Sequence, residues 1–134
     1  MEKVTDEVFG EMVYQSGWKK AEMLTIFGRE TRIETIARAF SGKPIQNVQR
    51  ESYLRFCAEK EKYIETAEEA VRLYVEDNNL SEQTDLSNLA QLTALCIDYD
   101  GTVLLLFECG WDEEDGLAVK LTPPVEVGPQ YLYL

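Results

Sequence analysis

The sequence predicts an α+β fold: an antiparallel sheet built from N- and C-terminal strands, with a central helical hairpin packed on one face. Three observations predict it. Strand-like alternation fills residues 8–37 and returns from residue 92 onward. Apolar residues at helical spacing fill the middle. Runs of strands separated by a run of helices argue α+β, whereas a parallel sheet would alternate strand and helix. With 134 residues, one domain over 1–134 is expected, large enough to build a core without a metal or disulfides.

Val8–Gln15 reads as a short strand, and Ser16-Gly17 as a turn. Trp18–Phe27 alternates, and Gly28-Arg29 suits a two-residue hairpin turn with glycine first. Arg29–Ala37 reads as the returning strand, although Ile33–Phe40 can also be read as helix. The interleaved Lys19, Lys20, Arg29, Arg32 and Arg38 with Glu22, Glu30 and Glu34 read as cross-strand pairs. Ser41-Gly42-Lys43-Pro44 ends the strand and opens a helix, with Pro44 tolerated in the first turn. Ile45, Val48, Ser52, Phe56 and Tyr63 form its stripe. Thr66-Ala67-Glu68-Glu69 matches a capping box, so a second helix is expected to begin there and to end near Asp77-Asn78-Asn79, giving a helical hairpin or one kinked helix across the sheet. Residues 80–91 read as a connection with one short helical turn.

Leu92–Asp98 is a strand, and Asp100-Gly101 a type I′ hairpin signal. Thr102–Cys109 returns through the apolar run Val103–Phe107, which reads as a central strand covered on both faces. Asp112–Gly116 reads as a turn and Leu117–Leu121 as a strand stopped by Pro123-Pro124. Val125–Val127 and Tyr131–Leu134 read as short edge strands.

Charge narrows the function classes. The chain has no histidine, which removes serine–histidine and cysteine–histidine nucleophile pairs and zinc–histidine sites. Its formal charge is −12, so phosphate-neutralising contact with nucleic acid is not expected. Residues 1–72 carry a net −1, while residues 73–134 carry −11 with Lys120 as their one basic residue. The densest piece is Glu108–Asp115 (ECGWDEED), with five carboxylates. Such a surface suits a cationic partner, and Trp111 within it suits an interface anchor. The odd cysteine count (Cys57, Cys96, Cys109), without a CxxC, reads as buried free thiols in a reducing compartment. No basic region followed by an apolar run opens the chain, and no run is long enough to span a bilayer. A cytoplasmic protein without cofactor or membrane partner is expected.

Two further patterns invite chemistry. Asp98-Tyr99-Asp100-Gly101-Thr102 resembles the nucleophile motif of haloacid-dehalogenase-like phosphatases, which implies a metal-dependent phosphohydrolase using Asp98 and Asp100. A plain Asp-Gly hairpin explains the same letters, and the residues after the motif offer only Lys120 where that family needs a lysine and further acidic motifs. Asp112-Glu113-Glu114-Asp115-Gly116 could hold calcium as part of an interaction module, but its spacing is not that of an EF-hand.

The stretch from Ile97-Asp98-Tyr99-Asp100-Gly101 through Phe107-Glu108-Cys109-Gly110-Trp111-Asp112-Glu113-Glu114-Asp115-Gly116-Leu117 resembles a group of small acidic bacterial proteins with a C-terminal WDxExGL element. The layout of Trp18–Phe27 and of the helix bearing Gln49, Tyr53 and Phe56 is similar too. These resemble the immunity proteins of polymorphic-toxin and contact-dependent growth inhibition systems. The resemblance implies a non-enzymatic binder of one cognate toxin, one to one, and carries over no catalytic residue. A toxic nuclease must be cationic to hold phosphates. The expected contact face is Asp98, Asp100, Glu108, Trp111, Asp112, Glu113, Glu114 and Asp115.

Overall fold

The computed structural model describes residues 2–80 and 86–134. Eight strands form one sheet in sequence order: β1 (Lys3–Asp6), β2 (Gly10–Tyr14), β3 (Trp18–Ile26), β4 (Arg29–Ala37), β5 (Ala90–Ile97), β6 (Val103–Cys109), β7 (Asp112–Lys120) and β8 (Glu126–Gly128). Between β4 and β5 lie α1 (Asn47–Ala58), α2 (Lys60–Asp77) and the single turn α3 (Leu86–Leu89). More residues lie in strands than in helices. Of the connection expected over 80–91, residues 81–85 lie outside the described residues. None of the described helices is long and apolar enough to cross a membrane.

The expected architecture is corrected in two respects. The sheet is mixed and larger than foreseen: every neighbouring pair is antiparallel except β4 and β5, which run parallel with Glu34–Ala37 against Ala94–Ile97. A tight hairpin must reverse the chain, but the long α1–α2 crossover returns it to the end of the sheet where β4 began. Nor do the helices form a hairpin. Only Glu59 separates α1 from α2, and its φ of −120° with ψ of 32° bends one nearly continuous helical run. A helical hairpin needs a loop of about 2–5 residues. The capping-box letters at Thr66 sit inside α2, where the Thr66 hydroxyl donates to Lys62 O at 2.9 Å.

Smaller differences have local causes. The tight turn between β3 and β4 is centred on Phe27 and Gly28, both at positive φ, because Ile26 pairs with Arg29. Asp100 is not at positive φ. Asp98 O accepts the Gly101 N–H, and Gly101 at φ +89° completes a three-residue hairpin loop, so no type I′ turn forms there. Asp112–Gly116 belongs to β7, and the reversal falls at Gly110-Trp111. Gln130–Leu132 is a 3₁₀ turn rather than a strand.

The main core lies between the sheet and the two long helices. Phe56 of α1 and Ile64, Ala67, Val71 and Val75 of α2 pack on Leu24, Ile33, Leu95, Ile97, Leu105, Phe107, Leu117 and Val119. The opposite face carries a smaller cluster of Ala94, Cys96, Leu104, Leu106 and Ala118, against which Ile36 and Tyr133 pack. This second layer explains why Val103–Phe107 is apolar without alternation. Cys96 and Cys109 are buried, but Cys57 is exposed.

Candidate functional site

The residues expected to share one face divide between the two ends of β6. Asp98 and Asp100 lie in the loop before it, Glu108 near its far end, and Trp111–Asp115 in the turn and strand that follow. The β6 residues Val103–Phe107 separate the two sets, roughly 17 Å at the usual strand rise.

At the first end the carboxylates serve the fold. Asp98 Oδ2 accepts from Arg38 Nη1 at 2.9 Å, which ties the ends of the parallel pair together. Asp98 Oδ1 also accepts the Tyr99 N–H. Asp100 Oδ1 accepts the Thr102 N–H at 2.9 Å, and this bond, with the Thr102 hydroxyl, holds its carboxyl below the usual range. The loop is clamped from α1: Ser52 Oγ donates to Gly101 O at 2.7 Å. Gln49, fully buried, donates through Nε2 to Arg38 O and Ile97 O and accepts the Gln46 N–H. Sequence reasoning noted Gln49 only in the layout of its helix and gave it no role, because a glutamine on a helix carries no signal of burial. The five-residue phosphatase-like motif is thus a hairpin loop followed by a strand. Among the described residues, no group of three or more Cys, Asp or Glu is arranged to hold a metal ion.

At the other end the carboxylates have no cationic partner among the described residues. Glu108, Glu113, Glu114 and Asp115 are exposed, Asp112 and Trp111 partly so. None of the five carboxylates forms an ion pair with a described residue. Successive strand residues face opposite sides, so the charge wraps both faces of the hairpin end. Glu108 and Glu113 line one shallow hollow of about 350 Å³ together with Asn88, Gln91 and Gly110.

This end is held firmly. The Gly110 N–H donates to Leu89 O at 3.0 Å, and the Asp115 N–H donates to Asp112 Oδ1 at 3.0 Å. Phe107 pairs with Leu117, yet Cys109 pairs with Asp112, so β7 bulges outward over Glu113–Gly116 opposite Glu108 alone. Gln130 seals the base of the bulge, donating to Phe107 O at 3.0 Å. Trp111 packs against the edge of the core. Burial pushes the Cys109 thiol up to about 11, which keeps it protonated beneath the turn.

A third polar group was read differently from sequence. Lys20 and Glu22 pair with each other along β3, at 3.8 Å, rather than with a neighbouring strand. They turn toward the helices, where Glu22 accepts from the hydroxyls of Tyr53 and Thr35, and Lys20 Nζ donates to Phe9 O at 2.7 Å. Lys19 and Glu34 do meet on the outer face, at 3.8 Å.

Comparison with curated proteins gives no match, and comparison with solved structures gives none. Residues 8–134, from the middle of the β1–β2 turn to the last residue, match the family described as Domain of unknown function (DUF6985), and the chain belongs to that family.

Proposed function

We propose that this chain is a non-enzymatic binding protein that captures a cationic protein through the acidic end of the β6–β7 hairpin. Its role on this reading is that of a cytoplasmic immunity protein covering the active site of a cognate toxin. The observation that carries the reading is the group of five carboxylates, Glu108 and Asp112–Asp115, without a cation among the described residues and held beside Trp111 by a bulged, hydrogen-bonded turn. Carboxylates already paired would have to exchange partners on binding. These need only shed water and counterions, and their field accelerates encounter with a basic surface. Trp111 offers the apolar contact that holds the complex once formed. The proposed face is narrower than the one expected from sequence, because Asp98 and Asp100 stand at the far end of β6 and are already engaged.

The test is co-purification from the native cell at physiological salt. A single basic protein in one-to-one amount is expected with the wild type and with Asp98→Asn. It should be lost with Asp112→Lys, Glu113→Lys and Glu114→Lys combined, while the far-ultraviolet spectrum stays unchanged. Retention of the same partner by the triple variant removes the proposed face.

A further inference from the structure

The outer edge of β3 is open over most of its length. β3 pairs with β4 along all nine residues, but with β2 only at Trp18 and Lys19. In an antiparallel ladder, hydrogen-bonded and non-bonded pairs alternate, and a two-residue turn makes its flanking pair bonded. Ile26–Arg29 is that flanking pair. Leu24 and Glu22 therefore bond to β4, while the N–H and C=O of Ala21, Met23 and Thr25 point away from it. The same alternation turns Lys19 toward β2, where it meets Val13, and Arg38 toward β5, where its N–H donates to Ile97 O at 3.0 Å. Both neighbours thus confirm the phase. Six main-chain groups face outward over about 14 Å, without a partner among the described residues.

Sheet edges are ordinarily blunted by shortness, charge, proline or a bulge. β8 has three residues and follows Pro123-Pro124 closely; β1 has four and carries Lys3 and Asp6. The open length of β3 has none of these. Ala21, Met23 and Thr25 are exposed and uncharged. Lys20 and Glu22, the charges nearest the edge, are engaged with Phe9 O, Tyr53 and Thr35 on the helix side.

We propose that β3 pairs antiparallel with β3 of a second copy about a two-fold axis, Met23 facing Met23 and Ala21 facing Thr25, joining two sheets into one. An antiparallel pair about a two-fold axis satisfies both edges with one interaction. Charge selects the second copy as occupant. Two chains of −12 repel each other, but residues 1–72 carry only −1. Around this edge Lys19, Lys20, Arg29 and Arg32 balance Glu22, Glu30 and Glu34. The acidic hairpin lies three strand spacings further along the sheet. This edge is where two copies approach with least repulsion, and it leaves both acidic ends free.

Sedimentation of the purified chain over a wide concentration series at physiological salt tests the pairing. Wild type and Met23→Ala are expected to dimerise, because alanine keeps the N–H. Met23→Pro removes an N–H that β4 does not use, and should weaken self-association at least tenfold while keeping the wild-type spectrum. A wild type that stays monomeric throughout, or a folded Met23→Pro that dimerises like wild type, overturns the proposal. Amide exchange of the wild type serves if Met23→Pro does not fold. The amides of Ala21, Met23 and Thr25 should slow with rising concentration while that of Leu24 does not change, and equal rates at all concentrations overturn it.

Discussion

Gly116 is the residue on which the shape of the acidic hairpin end depends most directly, and Gly116→Ala is expected to be severely destabilising. Its φ is +63°, and a Cβ built there would stand 2.7 Å from Phe107 O and 2.7 Å from Gln130 Nε2. An L-residue in the left-handed region costs about 1–2 kcal/mol. The Phe107 carbonyl belongs to the β6 main chain beside the bulge, so it cannot withdraw without opening the ladder, and overpacking of this kind costs about 1–3 kcal/mol. Gln130 can move, but then its hydrogen bond to Phe107 O is lost, worth about 1 kcal/mol. Together these give about 3–6 kcal/mol, a large share of the 5–15 kcal/mol typical of a domain, and a melting temperature lower by more than about 10 °C. Gly110 is the control, since it lies at the same end, has no positive φ, and a Cβ there meets nothing within 4 Å. Gly110→Ala should stay within about 0.5 kcal/mol of wild type. Urea titrations of both variants, followed by circular dichroism, decide the matter. If Gly116→Ala unfolds at the same midpoint as Gly110→Ala, the bulge does not require glycine and the steric account is wrong.

Asp6 accepts the N–H groups of Val8 and Phe9 and a paired contact from Arg50 at 2.7 Å. Burial alone would raise its carboxyl, but Arg50 and the two N–H groups outweigh burial and hold it below the ordinary range. A lowered carboxylate adds stability that is present above its ordinary value and lost as pH falls through its folded value. Asp6→Asn should therefore cost about 2 kcal/mol at neutral pH and lose less further stability than wild type below about pH 4; parallel stability–pH curves would contradict this. Cys57 is exposed, while burial pushes Cys96 up to about 12 and Cys109 up to about 11. A thiol reagent at neutral pH should label one cysteine in the native chain and three after denaturation, and native labelling of two or three would show that the sheet opens readily. The unpaired carboxylates of the hairpin end repel one another, so sodium chloride should raise the melting temperature as the screening length falls from about 10 Å at 0.1 M to about 3 Å at 1 M. The combined Asp112→Lys, Glu113→Lys and Glu114→Lys variant should lose most of that rise, and an equal rise in both would place the repulsion elsewhere.

Local pattern revealed the elements better than their assembly. The nine-residue alternation of β3 and β4 and the apolar run of β6 were legible because each has a buried face to satisfy. The parallel β4–β5 contact was not, since the direction of pairing is set by where α1 and α2 deliver the chain, and neither strand encodes that in its own letters. Helix phase was visible in Ser52 and Phe56 of α1, but the start of α2 was not, because threonine followed by glutamate fits an exposed helix interior as well as a cap. Of the candidate site, composition located the carboxylates correctly and misjudged their company. Asp98 and Glu108 are ten residues apart in sequence, and an extended strand converts that spacing into distance rather than proximity.

The two acidic segments illustrate how one residue type acquires opposite roles from its surroundings. Asp98 and Asp100 stand where α1 and Arg38 approach, so their oxygens are used to close a loop and tie the parallel strands, and they have little left to offer a partner. Glu108 and Asp112–Asp115 stand beyond the reach of the long helices, and among the described residues only Asp112 spends an oxygen on the main chain, through the Asp115 N–H. What holds them in place is the dry ladder beneath, Phe107 against Leu117 with Gln130 across the bulge. Self-repulsion at this end lowers stability, and the chain carries it at the end of β6, the strand whose burial is most complete, beside the Leu117–Val119 stretch of β7 that is covered on both faces. Charge is thereby concentrated at one end of the molecule and nearly cancelled at the β3 edge, so the surface proposed for a basic partner and the edge proposed for a second copy stay apart.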